Sequence, residues 1–238
     1  MAGRCDSRFT AVEDAFEENI DDGLEAGAAC AVVIDGDLVI DLWGGHADPT
    51  TALSWERDTL VDCRSATKGL TALCLALLVD RGVVDLDHQI RRYWPELRVE
   101  ATVQQALSHQ AGIPIVDGLR PGAILEWDVM ADAIARQEPM WHPGERHGYH
   151  GVSFGWLVGE TVRRITGETL PGVLKREVFE RLDVDGFMGT PVEHQPRMAT
   201  LVWGRPAHGA RAAAPTGPTG SDPTLAQKMY APVLPPLA

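Results

Sequence analysis

The sequence predicts an α+β fold in which an antiparallel sheet with flanking helices is combined with a helical subdomain. Three observations lead to it: an amphipathic helix near the start of the chain, a β-hairpin after it, and a long run of short helical segments. Apolar residues spaced three and four apart mark the first helix, namely Phe9, Val12, Phe16 and Ile20. We expect this helix to end near Gly23 and to cover the sheet.

Two β-prone runs, residues 29–34 and 38–43, are joined across Asp35-Gly36-Asp37. An Asp-Gly pair between such runs is a strong hairpin signal, so the two runs are predicted to be adjacent antiparallel strands. Residues 59–63 then lead into Ser65, and residues 65–81 predict a helix that ends at Gly82. Because this helix is apolar nearly all round, we expect it to be buried.

Residues 65–190 are predicted to form the helical region of a domain spanning residues 1–203, and residues 9–45 form its helix and hairpin. Within this region Thr102 is a candidate N-cap, and Gly167 closes a helical stripe that starts at Phe154. Two further helices are marked by Trp127, Met130, Ala131 and Ile134, and by Leu170, Val173, Leu174 and Val178. Residues 204–238 are rich in Pro and Gly and are predicted to be a tail or a truncated continuation.

Composition excludes several classes of protein. The chain of 238 residues carries 21 basic and 34 acidic side chains, and a net charge of −13 argues against a nucleic-acid partner. The longest apolar stretch, residues 70–79, is far shorter than the roughly 20 residues that cross a bilayer, so no membrane partner is expected. No secretory signal is visible and the four cysteines lack paired spacing, which favours a cytoplasmic location with reduced thiols.

Ser65-Ala66-Thr67-Lys68 is the first candidate for chemistry. Residues i and i+3 lie on one face of a helix, so the Lys68 amine can reach the Ser65 hydroxyl. A serine needs a base to become a nucleophile, and a lysine serves if burial lowers its pKa. The alternative is a solvated lysine in the first turn of a helix that Ser65 caps.

Tyr149 is a second candidate, in a polar loop directly before a predicted helix. A phenol near a lysine ammonium can carry protons to a leaving group. The alternative is a half-buried tyrosine whose hydroxyl has an ordinary hydrogen-bond partner.

Three motifs in order resemble the serine β-lactamase-related family, which includes class C β-lactamases, penicillin-binding proteins and esterases on the same scaffold. They are Ser65-Ala66-Thr67-Lys68 with Gly69-Leu70-Thr71, then Leu107-Ser108-His109-Gln110-Ala111-Gly112-Ile113, then Pro143-Gly144 leading to Tyr149. The resemblance implies a β-lactamase/transpeptidase-like fold. It also implies that Ser65 is the acylated nucleophile, Lys68 its base and Tyr149 the proton relay.

The sequence departs from this family at two points. The second motif is commonly Tyr-x-Asn, but position 151 is Gly, which favours an esterase over a β-lactamase because an ester lacks the amide N–H that the asparagine would recognise. A Lys-Thr-Gly motif on a late strand is expected in the family, and none of the three lysines (Lys68, Lys175, Lys228) begins one. We therefore expect a chain that lacks the C-terminal strands and one oxyanion donor.

Two other motifs are weaker candidates for a site. Gly151-Val152-Ser153-Phe154-Gly155 matches the nucleophile elbow of other hydrolases, with His194 and His208 as triad histidines, but no buried strand precedes it, so Ser153 is predicted to start a helix. A zinc site at His142, His147 and His150 is disfavoured by the spacing of these residues. His109 is expected to be a structural, hydrogen-bonded histidine.

The sequence therefore predicts a serine hydrolase that acts on a small ester or related acyl compound through a covalent acyl-serine. We expect His150, Gly151 and Trp141 to line the substrate pocket, and no metal or organic cofactor to be required. The alternatives are a ligand-binding module without turnover and a fragment of a longer protein. The sequence makes no prediction of oligomeric state.

Overall fold

The computed structural model describes residues 1–202, which fall into two compact units. The described part of one unit comprises residues 1–63 and 190–202, and the other unit comprises residues 64–189. The predicted tail, residues 204–238, lies outside the described residues.

The first unit is built on an antiparallel sheet. Its strands are β1 (Ala2–Cys5), β2 (Gly27–Ile34), β3 (Asp37–Asp48) and β4 (Leu53–Ser54). The strand order is β1-β3-β2, and β4 also pairs with β3. Asp35 and Gly36 both have positive φ, 52° and 88°, which gives the tight turn whose twist matches the two strands it connects. The predicted hairpin is therefore confirmed.

Helix α1 (Thr10–Asp21) packs on this sheet, as expected. Phe9 and Phe16 contact a buried cluster of β3 side chains formed by Val39, Ile40 and Leu42. Ile40 and Leu42 lie two residues apart and so share one face of β3, whereas Val39 lies where the register between β2 and β3 shifts. Burying these apolar side chains stabilises the unit.

The second unit is helical. Its helices are α2 (Thr67–Asp80), α3 (Val103–Leu107), α4 (Trp127–Arg136), α5 (Ser153–Thr166) and α6 (Leu170–Leu174), the last continuing through a π-helical turn (Lys175–Phe179) into α7 (Glu180–Leu182). Thr102 caps α3 through the Gln105 amide, and α5 ends at Gly167, whose φ is 74°. Among residues 1–202, no helix has the length and apolar character needed to cross a membrane.

The expectation that α2 is buried on all sides is wrong. The unit buries one face of the helix, formed by Thr71, Cys74, Leu75 and Leu78. Leu73 is 38% exposed and Ala76 is also exposed, because the helices that pack on α2 within this unit, α5 and α6, lie against the opposite face.

Glu160 on α5 is a wholly buried carboxylate. It accepts hydrogen bonds from Trp127 Nε1 at 2.7 Å, Arg163 Nε at 2.6 Å and Arg164 Nε at 2.8 Å. Burial raises the pKa of this carboxyl, but the three donors more than offset burial and hold the pKa below its ordinary value. The cluster thus links α4 to α5 through an ionised group.

We expect Glu160→Gln to lower the free energy of unfolding at pH 7 by about 1.5–3 kcal/mol, because a neutral amide loses charge-assisted hydrogen bonds. Since folding lowers the pKa of Glu160, this stabilisation is present above the ordinary value of 4.5 and is lost as pH falls through the folded value. Urea unfolding between pH 3 and pH 7 measures the difference, which should shrink toward the acid end. Glu100→Gln, at an exposed ion pair with Arg91, should change stability by less than about 0.5 kcal/mol at every pH.

Candidate active site

Ser65 lies in a short 3₁₀ turn, Arg64–Ala66, that leads directly into α2. Arg64 has a φ of 46°, a left-handed conformation that is uncommon for a residue with a side chain and is often found at functional sites. Ser65 is exposed. The turn therefore presents its hydroxyl to solvent at the N-terminal end of a 14-residue helix, where the helix dipole favours negative charge.

Two side chains contact the Ser65 hydroxyl. Lys68 Nζ, in the first turn of α2, lies 3.1 Å from Ser65 Oγ. The hydroxyl of Tyr149 lies 2.7 Å from the same oxygen, although it is 84 residues distant in sequence. The three predicted catalytic side chains are thus brought within hydrogen-bond distance of one atom.

Tyr149 is also influenced by Lys68. The ammonium lies 5.0 Å from the centroid of the Tyr149 ring. The hydrogen bond with Ser65 and the charge and hydrogen bond of Lys68 lower the pKa of the Tyr149 phenol, and burial opposes them. A phenol that loses its proton more readily than usual, next to a lysine, is suited to proton transfer.

The loop that carries Tyr149 is held by the second motif of the resemblance. The Gly144 N–H donates to the Gln110 carbonyl and the Gly148 N–H to the His109 carbonyl, each at 3.1 Å. Gly148 also allows a close approach, since a β-carbon there would lie 2.6 Å from the Trp141 ring. The structure therefore places all three motifs at a single site within the second unit.

The structure does not favour the predicted contact between His150 and substrate. His150 is wholly buried, its Nε2 accepts from the Ile113 N–H at 3.1 Å and its Nδ1 lies 2.6 Å from the Gly148 carbonyl. Burial is the main reason that its pKa is lowered to about 4, so the ring is neutral near pH 7. Both ring nitrogens are thus used in hydrogen bonds that hold the loop.

Gly151 and Trp141 are both partly buried beside that histidine. The Trp141 ring lies edge-on to His150, with the centroids 6.2 Å apart. Its indole N–H is buried and makes no hydrogen bond. Their predicted contact with substrate stays a prediction.

Ser153 is not positioned as a nucleophile. It is wholly buried and its hydroxyl donates to the Ile113 carbonyl at 2.6 Å. It is the first residue of α5, which confirms the prediction that it begins a helix. His208, one of the two triad histidines considered with it, lies outside the described residues.

His109 does form the hydrogen bonds expected of a structural histidine, but its position was not predicted. Its ring centroid lies 5.0 Å from that of Tyr149. Forty residues separate the two in sequence, and neither spacing nor periodicity signals such a contact.

Within residues 1–202, no group of three or more His, Cys, Asp or Glu side chains is arranged to hold a metal ion.

Comparison with known proteins identifies relatives across most of the chain. A family model described as Beta-lactamase matches residues 12–231. The chain is 34% identical over 206 residues to the esterase/beta-lactamase LipL of Mycobacterium tuberculosis, covering 84% of this chain and 48% of that protein. It is 27% identical over 206 residues to esterase EstB of Burkholderia gladioli, covering 76% and 52%. The chain thus spans about half the length of these curated relatives.

Solved structures are also similar to this chain over most of its length. A penicillin-binding protein homologue from Caulobacter crescentus aligns with a TM-score of 0.81 and 38% identity, covering 85% of this chain and 56% of that one. A family VIII carboxylesterase aligns with a TM-score of 0.78 and 36% identity, covering 84% and 57%. The predicted β-lactamase/transpeptidase-like fold is confirmed.

Proposed function

This chain belongs to the β-lactamase family, and we propose that it is a serine hydrolase in which Ser65 attacks a small ester to form a covalent acyl-serine. The observation that carries the proposal is the meeting of Lys68 Nζ and the Tyr149 hydroxyl at Ser65 Oγ. Three relatives support it by name: LipL is an esterase/beta-lactamase, EstB is an esterase, and one structural neighbour is a carboxylesterase.

Acylation requires that the Ser65 proton leave as its oxygen attacks the acyl carbon. In the proposed step, the Lys68–Tyr149 pair reacts as an amine and a phenol: the Lys68 amine takes this proton and the carbonyl π electrons move onto oxygen. Tyr149 donates its proton to the departing alcohol oxygen as the ester C–O bond breaks, and the Lys68 ammonium then reprotonates the phenolate. Lys68 and Tyr149 both lie within hydrogen-bond distance of Ser65 Oγ, which places the two groups close enough for that last transfer.

Deacylation reverses these roles. A water molecule loses a proton to the Lys68–Tyr149 pair as it attacks the acyl carbon, and the proton returns to Ser65 Oγ as the acyl bond breaks. In both steps negative charge develops next to the N-terminus of α2, where the helix dipole stabilises it.

An ester substrate suits this site better than a β-lactam. Position 151, two residues after Tyr149, is glycine, so it has no side-chain amide to hold the amide group of a β-lactam. A site with hydrogen-bonding side chains for an amide group strongly prefers substrates that contain that group. A glycine at this position supplies no such side chain. Turnover of p-nitrophenyl butyrate with little or no turnover of nitrocefin is the expected pattern.

We expect Tyr149→Phe to lower kcat for p-nitrophenyl butyrate by about 10²–10⁴-fold with little change in KM, because the phenyl ring cannot protonate the leaving alcohol. Tyr93→Phe is the matched control, since it removes a phenol bonded to the Asp85 N–H and His88 within the same unit. Its kcat should stay near that of the parent. Equal kcat values for the two variants would show that Tyr149 does not take part in the reaction.

The second candidate function is a ligand-binding module without turnover. In this alternative Ser65, Lys68 and Tyr149 bind an acyl compound without releasing a product. Thermal stabilisation by a boronic or ester ligand, with no measurable turnover by the parent chain, would support this module over the hydrolase.

A further inference from the structure

His109 follows α3 and adopts a backbone conformation that is unusual for histidine. Its φ is 61°, in the left-handed region that favours glycine and that asparagine tolerates better than most residues. This conformation turns the chain sharply after the helix. A strained residue of this kind persists only where contacts with its surroundings hold it in that conformation.

Those contacts lie on both sides of Tyr149. The Gly148 N–H donates to the His109 carbonyl at 3.1 Å, and the His150 N–H donates to His109 Nδ1 at 3.1 Å. The main-chain amides immediately before and after Tyr149 are therefore bound to one residue. The carbonyl and the ring of His109 bind these two amides from a backbone with left-handed φ.

The imidazole also packs beside the phenol. The ring centroids of His109 and Tyr149 lie 5.0 Å apart, and Phe154 lies 4.9 Å from the histidine on α5. His109 thus restrains Tyr149 through the main chain and through its ring, and the Tyr149 hydroxyl reaches Ser65 Oγ at 2.7 Å from this restrained position.

The hydrogen bond from His150 fixes the protonation of His109. A nitrogen that accepts from an N–H has no proton, so the ring is neutral with its hydrogen on Nε2. The titratable groups facing it are Lys68 from α2 and His147, Tyr149 and His150 from the loop. Burial, His147 and Lys68 all lower the pKa of His109, which maintains the accepting form near neutral pH.

We propose that His109 is a positioning residue for the hydrolysis described above: by binding the amides on either side of Tyr149, it holds the phenol against Ser65 and Lys68. The inference rests on the proposed function, but the geometry it describes is measurable without turnover. His109 touches none of the reacting atoms, so its effect is on the placement of Tyr149.

The test compares His109→Asn with His109→Gly. Both residues accept a left-handed φ, so both variants are expected to fold, but only asparagine places an oxygen where Nδ1 accepts the His150 N–H. We expect His109→Gly to lower kcat for p-nitrophenyl butyrate by about 10–100-fold with little change in KM, as small misplacements of catalytic groups do. His109→Asn should rescue most of that loss.

A second measurement distinguishes this inference from the proposed function. The ultraviolet difference titration of each protein against its Tyr149→Phe counterpart reports the Tyr149 phenol alone. We expect the parent and His109→Asn to show the lowered pKa, and His109→Gly to titrate closer to 10, because the phenol moves away from Ser65 and Lys68. This result holds even if the parent hydrolyses no ester, in which case only the proposed function fails.

Two outcomes would overturn the positioning role. One is a folded His109→Gly variant whose Tyr149 titration and kcat both match the parent. The other is a His109→Asn variant as impaired as His109→Gly in both measurements, which would show that the bond to the His150 amide is not what holds the tyrosine.

Discussion

Ser65→Ala is expected to abolish labelling by a fluorophosphonate probe and to lower kcat for p-nitrophenyl butyrate by about 10⁴–10⁶-fold. The loss is large because the proposed reaction has no covalent path without the Ser65 oxygen, which Lys68 and Tyr149 both contact. Peptide mapping of the labelled parent should identify the tryptic peptide that contains Ser65. Burst and steady-state kinetics on the same preparations measure the turnover.

Ser153→Ala is the matched control, since Ser153 belongs to the rival motif. Its hydroxyl is buried and donates to the Ile113 carbonyl, so its removal costs about 1 kcal/mol of stability and leaves the labelling of Ser65 intact. Labelling at Ser153 with none at Ser65 would refute the assignment. The buried environment of Ser153 makes that outcome incompatible with the structure described above.

The elements that the sequence predicts well are those with local signals. The turn at Asp35 and Gly36 requires two positive φ angles, which the Asp-Gly pair supplies without help from the rest of the fold. The stripe on α5 and the glycine that ends it likewise specify one helix with one buried face. In each case the side chains that determine the element are neighbours in sequence.

The elements that the sequence misses depend on distant partners. Strand β1 contains Gly3 and Arg4 and shows no apolar alternation, and it becomes a strand by pairing with β3 some forty residues away. His150 has a polar, loop-like sequence context, yet it is buried because the Ile113 N–H supplies a partner for its ring. Tertiary contacts of this kind decide burial, and a linear pattern does not contain them.

The candidate site divides in the same way. Ser65 lies in the 3₁₀ turn that leads into α2 and Lys68 in the first turn of α2, so a spacing of three residues in continuous helical backbone predicts that they meet. Tyr149 joins them across 84 residues, and only the family resemblance anticipated its place. The hold that His109 exerts on both sides of Tyr149 uses main-chain amides, which every residue possesses, and this is why no residue pattern reveals it.

Lys68→Met is expected to lower kcat/KM for p-nitrophenyl butyrate by about 10³-fold, because it removes the base that takes the Ser65 proton. Lys68→Arg is the more informative variant. A guanidinium can still donate a hydrogen bond and supply positive charge near Tyr149, but it stays protonated in proteins and cannot accept the proton. If Lys68 acts as a base, both variants lose activity to a similar degree.

The two variants should differ in the pKa of Tyr149. Since Lys68 helps to lower the pKa of Tyr149, Lys68→Met should raise that pKa, whereas Lys68→Arg should preserve more of the lowering. An arginine variant with near-parental kcat/KM would mean that Lys68 acts through its charge and that the Tyr149 phenolate is the base. Lys175→Met controls for the loss of a lysine, because Lys175 is exposed in a π-helical turn. The kcat/KM of this variant should match that of the parent.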